Sequence, residues 1–329
     1  MPTRHGSLVG LDHMVDEVTT GVEPHVGYKK VLVTGGAGFI GSHVAEFLLE
    51  RGDDVVTVDE MNDYYDVRIK ENNLQQLRAK YPEEGRLKIF KADICDEDVM
   101  SKIFEEEGPT WVCHMAARAG VRPSIQDPYV YIHSNIKGTT HLMELSAKHG
   151  VKNFVFASSS SVYGGSKSTF FSEDEVVDNP FIDRVSRGVE IQQFGDGSSS
   201  RDYTFISDIV DGIVRALDRP HPYEVFNLGK GSGTSLKEFI DLVQKHTEKD
   251  AVIKVMPDQP GDVPYTCADV SKAHAMLGYK SKVAFEEGIR RTVKWYNGAY
   301  NAKELEVCPE LQANGMGRAP SMVNLSQTC

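Results

Sequence analysis

Residues 31–41 read VLVTGGAGFIG, a short apolar run followed by closely spaced glycines. Its first four residues predict a short buried strand, and Gly35, Gly38 and Gly41 then follow at the spacing of a tight turn that leads into a helix. Gly35 permits the turn, Gly38 lets the backbone approach a phosphate, and Gly41 allows the helix to pack closely on the strand. Because the first N–H groups of a helix lack partners within it, the stretch predicts a cradle for a pyrophosphate.

The next predicted strand ends in a carboxylate. Its separation from the glycine-rich turn along the chain is the one at which such folds bind a ribose. The run VVTV at 55–58 predicts this strand, and Asp59 closes it. A carboxylate in that position accepts hydrogen bonds from the ribose hydroxyls and repels the extra phosphate of NADP. Phe39 and Ile40, inside the glycine-rich turn, are further candidate cofactor contacts. The unit as a whole therefore predicts an NAD site.

Short apolar runs alternate with helical periodicity through the first half of the chain. After the two strands above, the runs are LKIF at 87–90, WVCHM at 111–115 and NFVFA at 153–157. Short buried runs between helices predict a parallel sheet with helices on both faces. The expected fold class is α/β, with a Rossmann-type doubly wound sheet.

Apolar residues at helical spacing predict the faces that pack on this core. The faces are Ile40, Val44, Phe47 and Leu48; Ile206, Ile209, Val210, Ile213 and Leu217; Leu236, Phe239, Ile240 and Val243; and Phe285, Ile289, Val293 and Tyr296. Ser235 and Glu238 predict a capping box at the start of the third of these helices.

Composition excludes several classes of protein. A net charge of −12 over 329 residues, without clusters of Lys and Arg, argues against a general nucleic-acid partner. The five cysteines are few, odd in number and far apart, which fits neither a disulfide framework nor a metal site and predicts a reduced, cytoplasmic protein. They are Cys95, Cys113, Cys267, Cys308 and Cys329. Residues 1–28 and 300–329 are expected to be disordered tails, and no transmembrane segment is expected.

Loops after the third and fourth strands supply further candidate cofactor contacts. Asp93 and Ile94 lie where adenine contacts would fall, although a loop aspartate also forms turns and caps helices. Ala116 and Ala117 follow the fourth strand, where small side chains either leave room for a cofactor or simply pack.

At this point the sequence resembles the extended short-chain dehydrogenase/reductase family, and within it the UDP-glucuronate 4-epimerases. The motifs that carry the resemblance span residues 30 to about 297 with one break. They are TGGAGFIGSHVAEFLLERGDDVVTVDEMNDYYD, HMAARAGVRPSIQDPYVYIHSNIKGT, NFVFASSSSVYG, RDYTFISDIVDGI and PGDVPYTCADVSKA. The resemblance implies tightly held NAD, transient oxidation of the sugar C4 hydroxyl, and return of the hydride to the opposite face of a 4-keto sugar.

The resemblance also divides the chain by function. It implies an NAD-binding Rossmann domain over 29–179. A smaller α/β part that binds the UDP-sugar is expected over 180–299, interleaved with the first. UDP-glucose 4-epimerase is the alternative within the enzyme class, and the stretches NDYYD and AGVR favour the uronate.

Ser159, four residues before Tyr163, takes the family's active-site serine role by motif, with Ser158 and Ser160 as its neighbours and alternatives. A serine run at a strand end can also form a turn, yet ligands bind at the carboxyl ends of strands in open α/β sheets. Ser158 and Asn135 are also implied cofactor contacts. Asn135 resembles the residue that fixes a helix at the active site, and a bond to backbone is its alternative role.

Three further residues resemble contacts to the UDP-sugar. Arg201 of RDYTF matches the arginine that binds the UDP phosphates, as a planar guanidinium suits. Asp262 of PGDVP matches a position near the uridine ribose. Arg122 is a candidate partner for the uronate carboxylate, or else a solvated surface arginine.

One family segment is missing from this sequence. Between Tyr163 and the run that begins at Phe181 there is no helix with the Tyr-x-x-x-Lys pair that moves the proton, no sixth strand and no arginine-bearing loop. Tyr163 and Lys167 share the spacing, but two intervening glycines disfavour a helix, so the pair is not expected to substitute. Arg118 also departs from the family, which has an uncharged residue there.

The missing segment leaves two functional hypotheses. The chain is an epimerase by descent, acting on UDP-glucuronate if it retains activity, or it is a non-catalytic NAD-binding or regulatory protein. A homodimer, or a heterodimer with a full-length relative, is the expected assembly. The sheet is expected to lack one strand, so that the outer edge of the fifth is exposed and the fold is marginal or prone to aggregate.

Overall fold

A computed structural model describes residues 23–158, 181–257 and 265–299 of the chain. Their contacts divide them into two compact units. The first unit comprises residues 23–158, 209–228 and 270–280, and the second comprises 181–208, 229–257, 265–269 and 281–299. The predicted division at residue 180 separates an NAD-binding part from a UDP-sugar-binding part, and it stays a prediction.

The first unit contains a five-stranded parallel sheet, which confirms the predicted fold class. The strands are β1 Lys30–Thr34, β2 Asp54–Asp59, β3 Leu87–Lys91, β4 Trp111–His114 and β5 Asn153–Phe156. Their spatial order is β3-β2-β1-β4-β5. The order reverses between β1 and β4, and open α/β sheets bind ligands at the carboxyl ends of the strands beside such a switch point.

Helices connect these strands. They are α1 Phe39–Arg51, α2 Val67–Lys80, α3 Glu97–Glu107, α4 Val121–Gln126, α5 Pro128–Tyr131, a π-helical segment Ile132–Gly138, and α6 Thr139–Lys148. The remaining elements are α7 Phe181–Arg187, β6 Ile191–Phe194, β7 Ser200–Arg201, α8 Ile206–Asp218, β8 Thr234–Ser235, α9 Leu236–Thr247, β9 Ile253–Met256, α10 Ser271–Leu277 and α11 Phe285–Ala299. β6 pairs with β9 in parallel, and β7 pairs with β8 antiparallel.

The predicted apolar faces form the cores, with one correction. The faces of α8, α9 and α11 are buried as expected, and the hydroxyl of Ser235 accepts a hydrogen bond from Glu238 N at 3.1 Å. In α1, Val44 and Leu48 are fully buried, but Ile40 and Phe47 are only half-buried. The buried face of this helix instead includes Ala45 and Leu49, and Gly41 lies against the glycine-rich loop.

β5 is an edge strand of the described sheet. It pairs with β4, and no described residue pairs with its other side. Phe156, near its carboxyl end, is 51% exposed. Among the described residues, no helix is long and apolar enough to cross a membrane.

Candidate dinucleotide site

The glycine-rich turn between β1 and α1 is shaped by close backbone approaches. Gly35 has a left-handed backbone (φ 66°), and a Cβ there would lie 2.9 Å from the amide nitrogen of Ala116. A Cβ at Gly41 would overlap the carbonyl oxygen of Gly35. Gly38 N donates to the Gly35 carbonyl at 2.9 Å, which closes the turn. Since α1 begins at Phe39, its first N–H groups lie at the carboxyl edge of the sheet, as an anion site requires.

Asp59 connects the end of β2 to this turn. Its carboxylate accepts from Ala37 N at 3.2 Å and from Met61 N at 2.8 Å, and it pairs with the Lys70 ammonium at 3.3 Å. Both charged side chains are buried. The ribose-binding role of Asp59 stays a prediction, but the structure places its carboxylate against the glycine-rich loop. Sequence reasoning missed Lys70, which reaches Asp59 from the first turn of α2.

A buried histidine links three elements beneath the turn. His114, the last residue of β4, is hydrogen-bonded through Nδ1 to Thr34 Oγ1 at 2.6 Å and through Nε2 to Thr139 Oγ1 at 2.9 Å. Thr34 Oγ1 also accepts from Ala116 N at 3.2 Å. Burial lowers the pKa of His114 to about 4, so its imidazole is neutral at physiological pH and acts as a structural crosslink.

Asn135 and Arg118 meet at the end of β4. The Asn135 side chain accepts from Arg118 N at 2.7 Å and donates to the Arg118 carbonyl at 2.9 Å. The structure thus shows Asn135 bonded to backbone, which is the alternative that its sequence context left open. The Arg118 guanidinium pairs with Glu60 at 2.9 Å, so a cation–carboxylate bridge joins the ends of β2 and β4, the two neighbours of β1.

The stretches NDYYD and AGVR lie together at the same edge. The hydroxyl of Tyr64 donates to the Ala119 carbonyl at 3.0 Å, and that of Tyr131 donates to the same oxygen at 2.6 Å. Gly120, with φ 96°, lies against Tyr64, because a Cβ there would be 3.2 Å from its hydroxyl oxygen. The two stretches on which the prediction of a uronate substrate rests therefore form one local structure.

The adenine-side candidates occupy the loop after β3. Asp93 accepts from Cys95 N at 2.8 Å and from His133 Nε2 at 2.7 Å. Desolvation would raise the pKa of Asp93, but these hydrogen bonds outweigh it and hold the pKa below its ordinary value. Ile94 is buried under Gly138, while Ala116 is half-buried and Ala117 is exposed. Their contacts with a cofactor stay predictions.

In the second unit, Arg201 is buried on β7 and donates to the Ser200 carbonyl at 3.0 Å. Its neighbour Asp202 organises the adjoining loops, accepting from the backbone N–H groups of Lys230, Gly231 and Ala268 at 2.8 to 3.1 Å. The motif RDYTF therefore combines a buried guanidinium with a loop-fixing carboxylate. Sequence reasoning did not predict the role of Asp202.

Several predicted site residues lie outside the described part of the chain. They are Ser159, Ser160, Tyr163, Lys167 and Asp262. Ser158 is described, and it is exposed just after the end of β5. Arg122 lies on α4, but only its backbone is described.

A family model for GDP-mannose 4,6 dehydratase matches residues 32–182 and 179–292. This chain belongs to the extended short-chain dehydrogenase/reductase family. Within this family it is 36% identical to a UDP-glucuronate 4-epimerase of Thermodesulfobacterium geofontis, over 80% of this chain and 95% of the relative.

Two solved epimerases of the family share the fold. The UDP-glucuronic acid 4-epimerase of Bacillus cereus, in complex with UDP-glucuronic acid and NAD, gives a TM-score of 0.73 at 28% identity, covering 82% of this chain and all of the other. The UDP-glucose 4-epimerase of Thermotoga maritima, with UDP-glucose, gives 0.71 at 29% identity, covering 82% and 99%.

Part of the length of its relatives has no counterpart in this chain. The match to the Thermodesulfobacterium epimerase extends over 312 positions, but it includes only 80% of the 329 residues of this chain, or about 263 residues. About 50 positions of the match therefore have no residue in this chain. The two parts of the family model meet at residues 179–182.

Proposed function

We propose that this chain binds NAD in the cradle of Gly35, Gly38, Gly41 and Asp59, and that its site is built for 4-epimerisation of UDP-glucuronate to UDP-galacturonate. The observation that carries the proposal is the hydrogen bond from Ala37 N to Asp59, which joins the phosphate-binding turn to the ribose-binding carboxylate. By family the chain is an isomerase whose relatives were crystallised with NAD.

NAD fits better than NADP because Asp59 is already a buried anion. A 2′-phosphate would have to lie beside this carboxylate, and the adjacent Lys70 already pairs with it at 3.3 Å. The residues present would hold the dinucleotide by backbone N–H groups at its pyrophosphate and by Asp59 at its adenosine ribose. When bound, NAD accepts and returns the hydride at the sugar C4.

UDP-glucuronate is proposed over UDP-glucose on two grounds. The uronate-favouring stretches form one structure in which Tyr64 and Tyr131 fix the Ala119 carbonyl. The relatives named UDP-glucuronate 4-epimerase include the Thermodesulfobacterium protein and one from Rhizobium meliloti, at 36% and 30% identity. Arg201, buried and at the start of RDYTF, is the proposed UDP-phosphate ligand.

The missing segment supports a second candidate, a non-catalytic NAD-binding protein that pairs with a full-length relative. About 50 positions of the Thermodesulfobacterium epimerase lack a counterpart here, and the sequence around Tyr163 and Lys167, which have the Tyr-x-x-x-Lys spacing, does not predict a helix. Positioned general acid–base catalysis contributes roughly 10²- to 10⁴-fold to a rate, so its loss would suppress turnover without removing the cradle.

Two measurements on the full chain separate these candidates. Calorimetric titration with NAD should show binding that NADP does not reproduce, and absence of NAD binding would end both. A coupled assay with UDP-glucuronate and UDP-glucose then measures conversion. Turnover well above a protein-free blank supports the enzyme, and NAD binding without turnover supports the non-catalytic protein.

We also propose a homodimer, formed through an apolar face on the helices after β4. Tyr129, Ile132, Ile136 and Met143 recur along α5, the π-helical segment and α6, and each is 49 to 79% exposed. A run of exposed apolar side chains at helical spacing is typical of a protein interface. The cytoplasmic location stays a prediction.

A further inference from the structure

Asp93, Cys95 and His133 bring a carboxylate, a thiol and an imidazole together at one edge of the first unit. One donor atom from each lies within 4.8 Å of the other two. The Cys95 thiol donates to the His133 carbonyl at 3.0 Å, and His133 Nε2 donates to Asp93 at 2.7 Å. We propose that these three side chains bind a zinc ion.

The backbone brings the three ligands together from two separate elements. Asp93 and Cys95 lie in the loop between β3 and α3, whereas His133 lies in the π-helical segment, 38 residues beyond Cys95. Gly138, at the end of that segment, makes the approach possible, because a Cβ there would lie 2.5 Å from the Ile94 side chain and 3.3 Å from the Cys95 sulfur. π-helical turns are rare and occur frequently at functional sites.

The donor set matches the preferences of zinc. Thiolate sulfur, imidazole nitrogen and carboxylate oxygen are its usual ligands, at roughly 2.0 to 2.3 Å in tetrahedral geometry, which places donor atoms roughly 3.3 to 3.6 Å apart. The Asp93–His133 pair must therefore open by less than about 1 Å, while the sulfur must leave the His133 carbonyl. Binding releases the thiol proton to solvent, and water fills the fourth position of a site with three protein ligands.

The charges around the three ligands are compatible with a bound dication. Lys137 is the neighbouring cation, and its ammonium lies 3.6 Å from the Glu97 carboxylate. Asp93 and His133 are 37% and 46% exposed at their side chains, so an ion can enter from solvent, while Cys95 is buried beneath them. The site is therefore open to solvent at Asp93 and His133, and its thiol ligand is buried.

The experiment uses the full chain without an affinity tag, carrying Cys308→Ser and Cys329→Ser so that these two thiols do not contribute. Titration of the metal-free protein with Cd²⁺, a spectroscopic probe for zinc, is followed by the ultraviolet charge-transfer band of a cadmium thiolate. Competition with Zn²⁺ should then abolish the band. One equivalent of cadmium, with its band displaced by zinc, is the expected result.

Single variants identify the ligands. Cys95→Ser should abolish the band, and His133→Gln and Asp93→Asn should weaken Zn²⁺ binding by more than the roughly 10-fold that loss of even an outer-shell partner costs. Cys267→Ser and His43→Gln are matched controls away from the cluster and should leave binding unchanged.

Circular dichroism checks that each variant is folded. His133 is exposed, so His133→Gln keeps the test valid even if Cys95→Ser unfolds. A thiolate band that survives in folded Cys95→Ser, or equal zinc affinity in the parent and His133→Gln, would overturn the proposal.

Discussion

Asp59 is a buried carboxylate that accepts hydrogen bonds from two backbone N–H groups and forms an ion pair with the Lys70 ammonium. Asp59→Asn leaves Lys70 buried without its counter-charge, which costs about 3 to 5 kcal/mol for a broken buried pair. It also removes the acceptor proposed for the ribose, and a hydrogen bond to a charged group contributes about 1.5 to 3 kcal/mol. We expect NAD affinity to fall roughly 10- to 100-fold, measured by calorimetry.

Lys70→Met provides the control for stability. In the double variant Asp59→Asn, Lys70→Met the uncompensated charge is gone, so unfolding by urea should show that much of the lost stability returns. NAD binding should stay weak. If the double variant binds NAD as tightly as the parent, Asp59 does not contact the cofactor.

Asp93 has two proposed partners, the adenine of NAD and the zinc ion. Because both need the same carboxylate, saturating NAD should weaken Zn²⁺ binding, and Zn²⁺ should weaken NAD binding by the same factor. Paired calorimetric titrations measure both factors. Equal zinc affinity with and without NAD would leave the metal site in place and remove Asp93 from the adenine contacts.

Residues were predictable from sequence where a local pattern fixes their place. Gly35 directly follows β1 and Asp59 is the last residue of β2, so the structure places both at the carboxyl edge of the sheet. The sequence did not single out Lys70, Cys95 or His133, because Lys70 lies 11 residues from Asp59 and His133 lies 38 residues from Cys95 along the chain. Only the fold brings such donors together, and no spacing rule in the sequence marks them.

At the scale of elements, His114 ties β1, β4 and α6 together as a neutral side chain. Its pKa falls from 6.5 in the unfolded chain to about 4 in the folded one. Between these values the unfolded state binds more protons, so this group's contribution to stability is complete above pH 6.5 and is lost as the pH falls to 4. The loss amounts to about 3 kcal/mol.

Urea unfolding of the parent and His114→Gln at several pH values tests this linkage. The difference in unfolding free energy between the two proteins should shrink by about 3 kcal/mol from pH 6.5 to pH 4. His43→Gln serves as the matched histidine replacement. Parallel pH curves for the parent and His114→Gln would show that the imidazole is not held neutral by the fold.

The exposed face on α5, the π-helical segment and α6 makes the dimer testable. Ile136→Glu places a charge in the middle of this face, where burial of an unpaired carboxylate is costly. We expect light scattering to show a dimer for the parent and a monomer for this variant. Lys148→Glu, on α6 but outside the apolar set, should leave the dimer intact. A monomeric parent would contradict the proposal.

Strands and helices with regular apolar periodicity were predictable, and the π-helical segment was not. All five strands of the sheet begin within one residue of their predicted positions, because short apolar runs leave little choice of register. The π-helical turn at Ile132–Gly138 depends on the close contact of Gly138 with Ile94 and Cys95. Such a contact is tertiary and leaves no periodic signal in the sequence.

At the scale of the whole molecule, the sheet ends at β5 in the described residues, and the sequence after β5 does not predict the family's proton-transfer helix. The further strand and helix that the family resemblance implies would cover an edge on which Phe156 is half exposed among the described residues. Each large apolar side chain that such a cover buries contributes about 1.5 to 3 kcal/mol. We therefore expect the parent to melt at low temperature and to aggregate on heating.

A chimera tests this cause directly. Insertion, between β5 and α7, of the segment of the Thermodesulfobacterium epimerase that has no counterpart here should raise the melting temperature and bring turnover of UDP-glucuronate up by at least roughly 10²-fold. A second chimera, with phenylalanine for the tyrosine of the Tyr-x-x-x-Lys pair that the family resemblance implies in the inserted segment, should keep the stability and lose the turnover. Because the two chimeras share their packing, a difference between them isolates the proton transfer. A parent as active as the first chimera would mean that another group of this chain already moves that proton.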